Sequence, residues 1–346
     1  MRPACHNFAS YLAAFSAQQT FMNKAVHNKA WSYAALITAI VCIAWSAIFV
    51  RWTSIPGPAS AFYRCLIPAI VLLPTWFFPG RRPKLSLRSY AIIAIGGFFF
   101  ALDLAFYNTS ILQTSATNST LLGNNTPIIV GLLTWLLFRR RPSFSFWVGL
   151  ALAVAGSAVI MGADLAKHTK FGLGDVFALA AAACFAVYLI ATEEIRSHTS
   201  TLEFLRLAII SSTIFMFVFT LVLHTPLIIP DRRTLLALLG LSLVSQLGGY
   251  LALTYALGHL PATITSVSLL SQGPLTAVLA ALLLGEPLTR YQIAGGVLVL
   301  LGVGLANHLG QPENEVNAAF GETADAGAVE SNAGDEVAAY TSKKVS

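Results

Sequence analysis

From Trp31 to Leu309 the chain is an almost unbroken succession of apolar stretches. Each is about 20 residues long, the length at which an α-helix crosses a hydrocarbon core of about 30 Å. They fall near 31–51, 59–78, 89–109, 115–138 and 145–163, and again near 174–195, 203–224, 234–256, 262–284 and 289–309. A backbone in lipid must satisfy its own hydrogen bonds, so this pattern predicts an all-α integral membrane protein of about ten transmembrane helices. Only 10% of residues are charged, against about 25% in soluble domains, and 56% are hydrophobic. The spans leave no room for a soluble catalytic domain, so function is expected inside the bundle.

The stretches fall into two sets of five that echo one another. Cys42 and Arg64 are matched at the same spacing by Cys184 and Arg206, and Pro127 and Gly149 by Pro274 and Gly296. An odd number of spans per copy turns the second copy upside down, and inverted repeats of this kind are common in secondary transporters. The expected organisation is a cytoplasmic extension over 1–30, a first repeat over 31–163, a second over 174–309, and a tail over 310–346. The tail is acidic and poor in large apolar residues, a composition that predicts disorder. Residues 1–21 read as an upstream extension or a weak targeting segment, with Met22 an alternative start.

Charge distribution orients the frame. With the amino terminus inside, twelve Lys and Arg residues between Arg2 and Arg206 fall on the cytoplasmic side and six on the other. The net charge of +6 therefore reports topology, with both termini cytoplasmic in the inner (plasma) membrane, and no nucleic-acid partner is expected. Four cysteines without CxxC spacing suggest neither a disulfide framework nor a metal site, and no cofactor is expected.

The fourth and ninth stretches are the least lipid-like. The fourth, NSTLLGNNTPIIVGLLTWLLF, carries Asn118 and Asn125 seven residues apart, on one helical face. In the ninth, Gln272 precedes Pro274 as Asn125 precedes Pro127. Each proline withholds an N–H, which should leave the carbonyl of Gly123 or Leu270 without its helical partner and kink the helix. Such groups are tolerated at membrane depth where they line a cavity, so this symmetric pair marks a substrate site. The competing explanation is an interhelical hydrogen-bond cluster that only holds the bundle together.

Several segments together resemble the drug/metabolite transporter superfamily, in particular its ten-span EamA-type members. They are the Trp45–Phe49 region, AFYRCLIPAIVLL, AFYNTSILQTSATNSTLLGNNTPIIVGLL, AAAACFAVYLIATEE and TYALGHLPATITSVSLLSQGPLTAVLAALLLGEPLTRYQIAGGVLVLLGVGLA. The resemblance covers residues 31–309 and implies an inverted-repeat carrier with a central cavity, usually an exporter of small metabolites. The segment LLLGEPLT, with Glu286, is particularly similar to the family. In the first copy Arg139 stands where the resemblance implies a glutamate opposite Glu286.

Ionisable groups at membrane depth are functional candidates by default. Arg64 and Arg206 either snorkel to a headgroup layer or form a pair of gating residues that bond helix ends or an anionic substrate group. Asp103, within FFFALDLAFYNTS, suits proton coupling or amine recognition, and Glu286 is a further coupling candidate. Trp45, Tyr107 and Tyr188 combine an apolar body with a polar tip and suit a pocket for amphipathic solutes. The expected partners are thus a small-molecule substrate, the lipid bilayer and, for a coupled carrier, protons. Amino acids or related compounds lead as substrate, by alternating access. A passive facilitator would share the cavity without needing a titratable group. A distant alternative is an intramembrane CAAX-type protease built on Glu193, Glu194, Arg196 and His198, but its spacings do not fit and no enzyme is expected.

Overall fold

The computed structural model describes residues 30–76, 85–113, 122–139, 142–167, 172–196, 199–285 and 288–309, and among these all regular structure is helical. The amino-terminal extension, the acidic tail, Asn118 and Glu286 lie outside the described residues. In chain order the helices begin with α1 (Ala30–Trp52), α2 (Gly57–Leu72, followed by a 3₁₀ turn Leu73–Trp76), α3 (Leu87–Gln113) and α4 (Thr126–Phe138). They continue with α5 (Phe144–Lys167), α6 (Leu173–Arg196), α7 (Thr201–Val222) and α8 (Arg232–Leu257). The last are α9 (Ala262–Leu269), α10 (Gln272–Leu284) and α11 (Arg290–Leu309). Inside α8, residues Leu241–Gly249 form a π-helical segment.

Local sequence explains the boundaries. Pro56 and Pro58 fit the start of α2, where a fixed φ helps and a missing N–H is harmless. Ser200 accepts from the Glu203 amide at 3.3 Å, in the Ser-x-x-Glu arrangement of a capping box, and starts α7. Asp231 accepts from the Thr234 amide at 2.8 Å and starts α8.

Seven helical stretches among the described residues are long and apolar enough to cross a membrane: 30–52, 57–76, 87–107, 173–196, 201–222, 232–257 and 262–283. Their outer faces are as apolar as the core. Leu236 is 67% and Leu282 76% exposed, which suits lipid and not water.

The two halves of the chain interlock. α3 packs along α6 and α7, α2 against α7 and the π segment, α4 against α6 and α9, and α5 along α11. Long-range bonds tie each end of the bundle. At one end the Ser54 amide donates to Thr234 Oγ1 at 3.2 Å and the Tyr63 hydroxyl donates to the Leu227 carbonyl. At the other, Arg206 Nη1 donates to the Thr75 carbonyl at 3.1 Å, and the Ala262 amide donates to Glu193 Oε2 at 3.0 Å.

The duplication is visible in the helices, in a different register from the one its matched residues suggest. α4 and α10 both have 13 residues, and both end on a left-handed residue, Arg139 at φ 55° and Gly285 at φ 68°. Their ends therefore match Thr126 with Gln272 and Pro127 with Gly273, one residue away from the Pro127–Pro274 correspondence. In the same register Arg139 stands opposite Gly285 and not opposite Glu286.

The α5–α11 crossing agrees with this shift. A Cβ on Gly149 would lie 2.6 Å from the Gly302 carbonyl oxygen, and one on Gly156 would lie 2.7 Å from that of Gly295. The close approach is thus made by Gly149 and Gly156 with Gly302 and Gly295, whereas Gly296 faces Pro274. For the arginines the offset is larger. Arg64 is the eighth residue of α2, but Arg206 is only the sixth of α7.

Candidate functional site

A cavity of about 440 Å³ lies between the halves and is walled by α1–α6 and α8–α10. Its walls reach Arg51, an exposed residue in the last turn of α1, so it extends to that end of the bundle. Apolar side chains make much of the wall, including Ile43, Ile48, Leu104, Phe185 and Leu269.

Two interrupted helices meet at this cavity. The helical ladder is interrupted at Asn124 and Asn125 before α4 and at Leu270 and Ser271 before α10, but Asn125, Leu270 and Ser271 keep right-handed helical backbone angles, so neither helix is cut through ahead of its proline. Nor are the two expected carbonyls free. That of Gly123 accepts from Thr126 Oγ1 at 2.9 Å, and that of Leu270 accepts from the Gly273 amide at 3.1 Å. The first residues of α4 and α10 lie in the wall, Thr126 and Pro127 in one half and Gln272 and Gly273 in the other. A Cβ on Gly273 would meet nothing within 4 Å, so that backbone borders open space.

Arg64 does not snorkel. Its Nε donates to Gln246 Oε1 at 2.7 Å, and its guanidinium lies 5.8 Å from the centroid of the Tyr250 ring. Asp103 and Tyr107, a turn apart on α3, line the same cavity, so a cation and a carboxylate share one space. Opposite them, Thr276 Oγ1 donates to the Ala44 carbonyl at 3.1 Å and joins α10 to α1.

The end away from Arg51 is clamped by α6. Glu193 caps the first amide of α9, while Arg196 donates from Nε to the Thr254 carbonyl at 3.0 Å and from Nη1 to the Thr199 carbonyl. Glu193 and Arg196 of the protease alternative therefore act as structural tethers, and His198 lies outside the described residues.

Of the residues singled out by sequence, Arg64, Asp103, Tyr107, Pro127 and Gln272 line the cavity. Asn118 and Glu286 lie outside the described residues, and Asn125, Trp45, Tyr188, Arg206 and Pro274 lie elsewhere. Asn125 turns its amide to the Leu122 carbonyl at 2.9 Å, and its neighbour Asn124 lines the cavity in its stead. Trp45 stacks on Phe49 with ring centroids 5.7 Å apart, outside the cavity wall. Tyr188 is 2% exposed and is packed among Phe100, Phe185, Phe204 and Tyr250, a core position. Arg206 bonds the end of α2 through Thr75 and lies over the Trp76 ring. Pro274 packs against Gly296.

Sequence reasoning passed over Gln246, Tyr250, Thr276 and Asn124. The signal for Gln246 was present, since it is an amide within the apolar run LSLVSQLGGY, the same criterion that selected Gln272.

The sequence profile of the EamA-like transporter family matches residues 30–162 and again 172–307. The chain belongs to the EamA-like transporter family. It is a multi-pass membrane transporter, and the double match agrees with the duplication seen in the helices. Among similar proteins, "Uncharacterized transporter YwfM" of Bacillus subtilis is 24% identical, over 72% of this chain and 83% of its own length. An "Uncharacterized transporter" of Archaeoglobus fulgidus is 28% identical over 80% and 97%. A "Probable terminal-alkyne amino-acid exporter" of Streptantibioticus cattleyicolor is 27% identical over 66% and 75%. A solved crystal structure at 19% identity shares the fold, with a TM-score of 0.66 over 81% of this chain and 97% of that one.

Proposed function

We propose that this EamA-family member exports small amphipathic metabolites, amino acids foremost, by alternating access through the cavity between its halves. The carrying observation is the cavity's asymmetry. It reaches exposed Arg51 at one end, and at the other the α6 clamp of Glu193 and Arg196 holds α8 and α9 together. With ten spans and both termini cytoplasmic, as the charge distribution supports, this is the outward-facing state of a plasma-membrane carrier. The inward-facing state then requires the clamp to release and the Arg51 end of the cavity to close.

Amide and hydroxyl groups among apolar walls suit an amphipathic solute, and the similarity to a protein named as an amino-acid exporter supports the same class. Arg64, Asn124, Gln272 and Tyr107 contact the solute, and Asp103 contacts it or carries the coupling proton.

Purified protein in proteoliposomes tests the role of the cavity. Gly273→Trp places a large side chain in open space at the cavity wall and should abolish solute flux while leaving the protein monodisperse and helical. Flux at the level of the unmodified protein would refute the assignment of this cavity.

A further inference from the structure

We infer that Arg64, held in place by Gln246 of the π segment, reads a carboxylate, and that with Asp103 it selects solutes carrying both a carboxylate and an amine. This rests on the cavity being the transport site and assigns its charged groups.

The geometry begins in α8. Over Leu241–Gly249 the helix widens, an arrangement rare in proteins and frequent at functional sites. In an α-helix, residues four apart drift by about 40° around the axis, so Ser242, Gln246 and Tyr250 would fan away from α2. Here all three meet consecutive residues of α2. Ser242 Oγ donates to the Tyr63 carbonyl at 3.1 Å, Gln246 accepts from Arg64, and the Tyr250 ring lies beside the Arg64 guanidinium. The segment also fits tightly on α1, where Ser245 Oγ donates to the Cys42 carbonyl at 2.8 Å and Gly249 admits Ile43 and Cys42.

Gln246 is 1% exposed and fixes the guanidinium from its Nε side. The two Nη groups have no hydrogen-bond partner among the described residues, and Arg64 lines the cavity. That edge is the one a carboxylate engages with two parallel bonds. The first residues of α4 and α10, Thr126 and Gln272 among them, border the same space. Asp103 is also on the wall and forms no ion pair with Arg64 or with any other described residue. A cation and an acidic group that face one low-dielectric space without a bond between them form an incomplete site, because leaving such groups unpaired is costly. A zwitterion completes it. The apolar walls at Ile43, Ile48, Leu104 and Leu269 then favour a bulky apolar side chain, so the assigned class is α-amino acids of the leucine type.

The test is counterflow of labelled L-leucine in proteoliposomes of the full chain. The competitors are leucine, leucinamide, which lacks the carboxylate, and 4-methylpentanoate, which lacks the amine. Leucine should compete at least about ten-fold better than either analogue, the discrimination expected for losing one charge-assisted contact. Arg64→Gln should bring leucine and leucinamide within about two-fold of each other, and Asp103→Asn should do so for leucine and 4-methylpentanoate. Gln246→Leu should weaken competition by leucine but not by leucinamide. Gln246→Glu, which offers Arg64 an internal carboxylate, should weaken it further, whereas a merely structural role would move both competitors together.

Equal competition by leucine and leucinamide in the unmodified protein would overturn the assignment, as would a leucine preference that survives Arg64→Gln. Absence of leucine counterflow, with another solute still blocked by Gly273→Trp, would overturn the assignment and leave the cavity as transport site. Leucine flux unaffected by Gly273→Trp would overturn both.

Discussion

Gly156→Ala adds one methyl group where α5 crosses α11. The new carbon would lie 2.6 Å from the Val299 amide nitrogen and 2.7 Å from the Gly295 carbonyl oxygen, whereas ordinary contacts begin near 3.4 Å. Both neighbours are backbone atoms and cannot rotate away, so the helices must move apart by roughly 0.8 Å at that level. Overpacking of this kind costs about 1–3 kcal/mol. The helix-propensity gain of Gly→Ala, up to about 1 kcal/mol, offsets part of it. Gly304 supplies the control, because a Cβ there meets nothing within 4 Å and Gly304→Ala keeps only the gain.

The assay is thermal unfolding of detergent-solubilised protein. Gly156→Ala should lower the midpoint by about 1–3 °C, at roughly 1.4 °C per kcal/mol for a chain of 346 residues, while Gly304→Ala should leave it unchanged or raise it. Adding Gly295→Ala to Gly156→Ala should cost less than it does alone, since the first substitution has already separated the helices. Equal midpoints for Gly156→Ala and Gly304→Ala would refute the argument that backbone contact locks this pair.

Three further outcomes follow from particular groups. Glu193→Ala removes the acceptor of the Ala262 amide, so hydrogen exchange in the first turn of α9 should quicken by roughly five-fold, as for loss of about 1 kcal/mol of capping; unchanged exchange would remove the clamp. Hydrogen bonds from the Thr234 amide and hydroxyl hold the Asp231 carboxyl below the usual carboxylate range. Its stabilisation of α8 is therefore present above the unfolded-state value, about 3.9, and lost as pH falls through the lower folded value. Exchange in the first turn of α8, corrected for intrinsic rate, should rise on acidification, and Asp231→Asn should flatten that rise. If Asp103 carries a coupling proton, Asp103→Asn should abolish the pH dependence of transport in proteoliposomes, and an unaltered pH profile would exclude that role.

The helical frame was legible because lipid permits few alternatives, and a 20-residue apolar run declares itself without tertiary information. Within the site, Arg64, Asp103 and Gln272 were legible for the same reason, as groups that lipid would reject. Phase was not. Adjacent residues on a helix differ by about 100°, and the break at Asn124 and Asn125 interrupts the count, so sequence could not tell which amide faces the cavity. Matching residue types also concealed the true register of the repeat. Arg64 and Arg206 share a spacing from cysteine, yet one lines the cavity and the other bonds Thr75. Tyr188 and Trp45 show the limit for aromatics, because a ring suits a core as well as a pocket. The π segment leaves no periodic signature, and without it the contact between Gln246 and Arg64 is invisible.

Alternating access through this cavity is tested most directly by chemical access to its floor. Gln272→Cys, in a protein whose Cys5, Cys42, Cys65 and Cys184 are replaced by alanine, can be labelled in sealed vesicles with a membrane-impermeant maleimide supplied to one face at a time. Labelling should proceed from the Arg51 face in resting vesicles and from the Arg196 face when a solute gradient or Arg196→Ala favours release of the clamp. Labelling from one face alone under every gradient, with Arg196→Ala included, would contradict it.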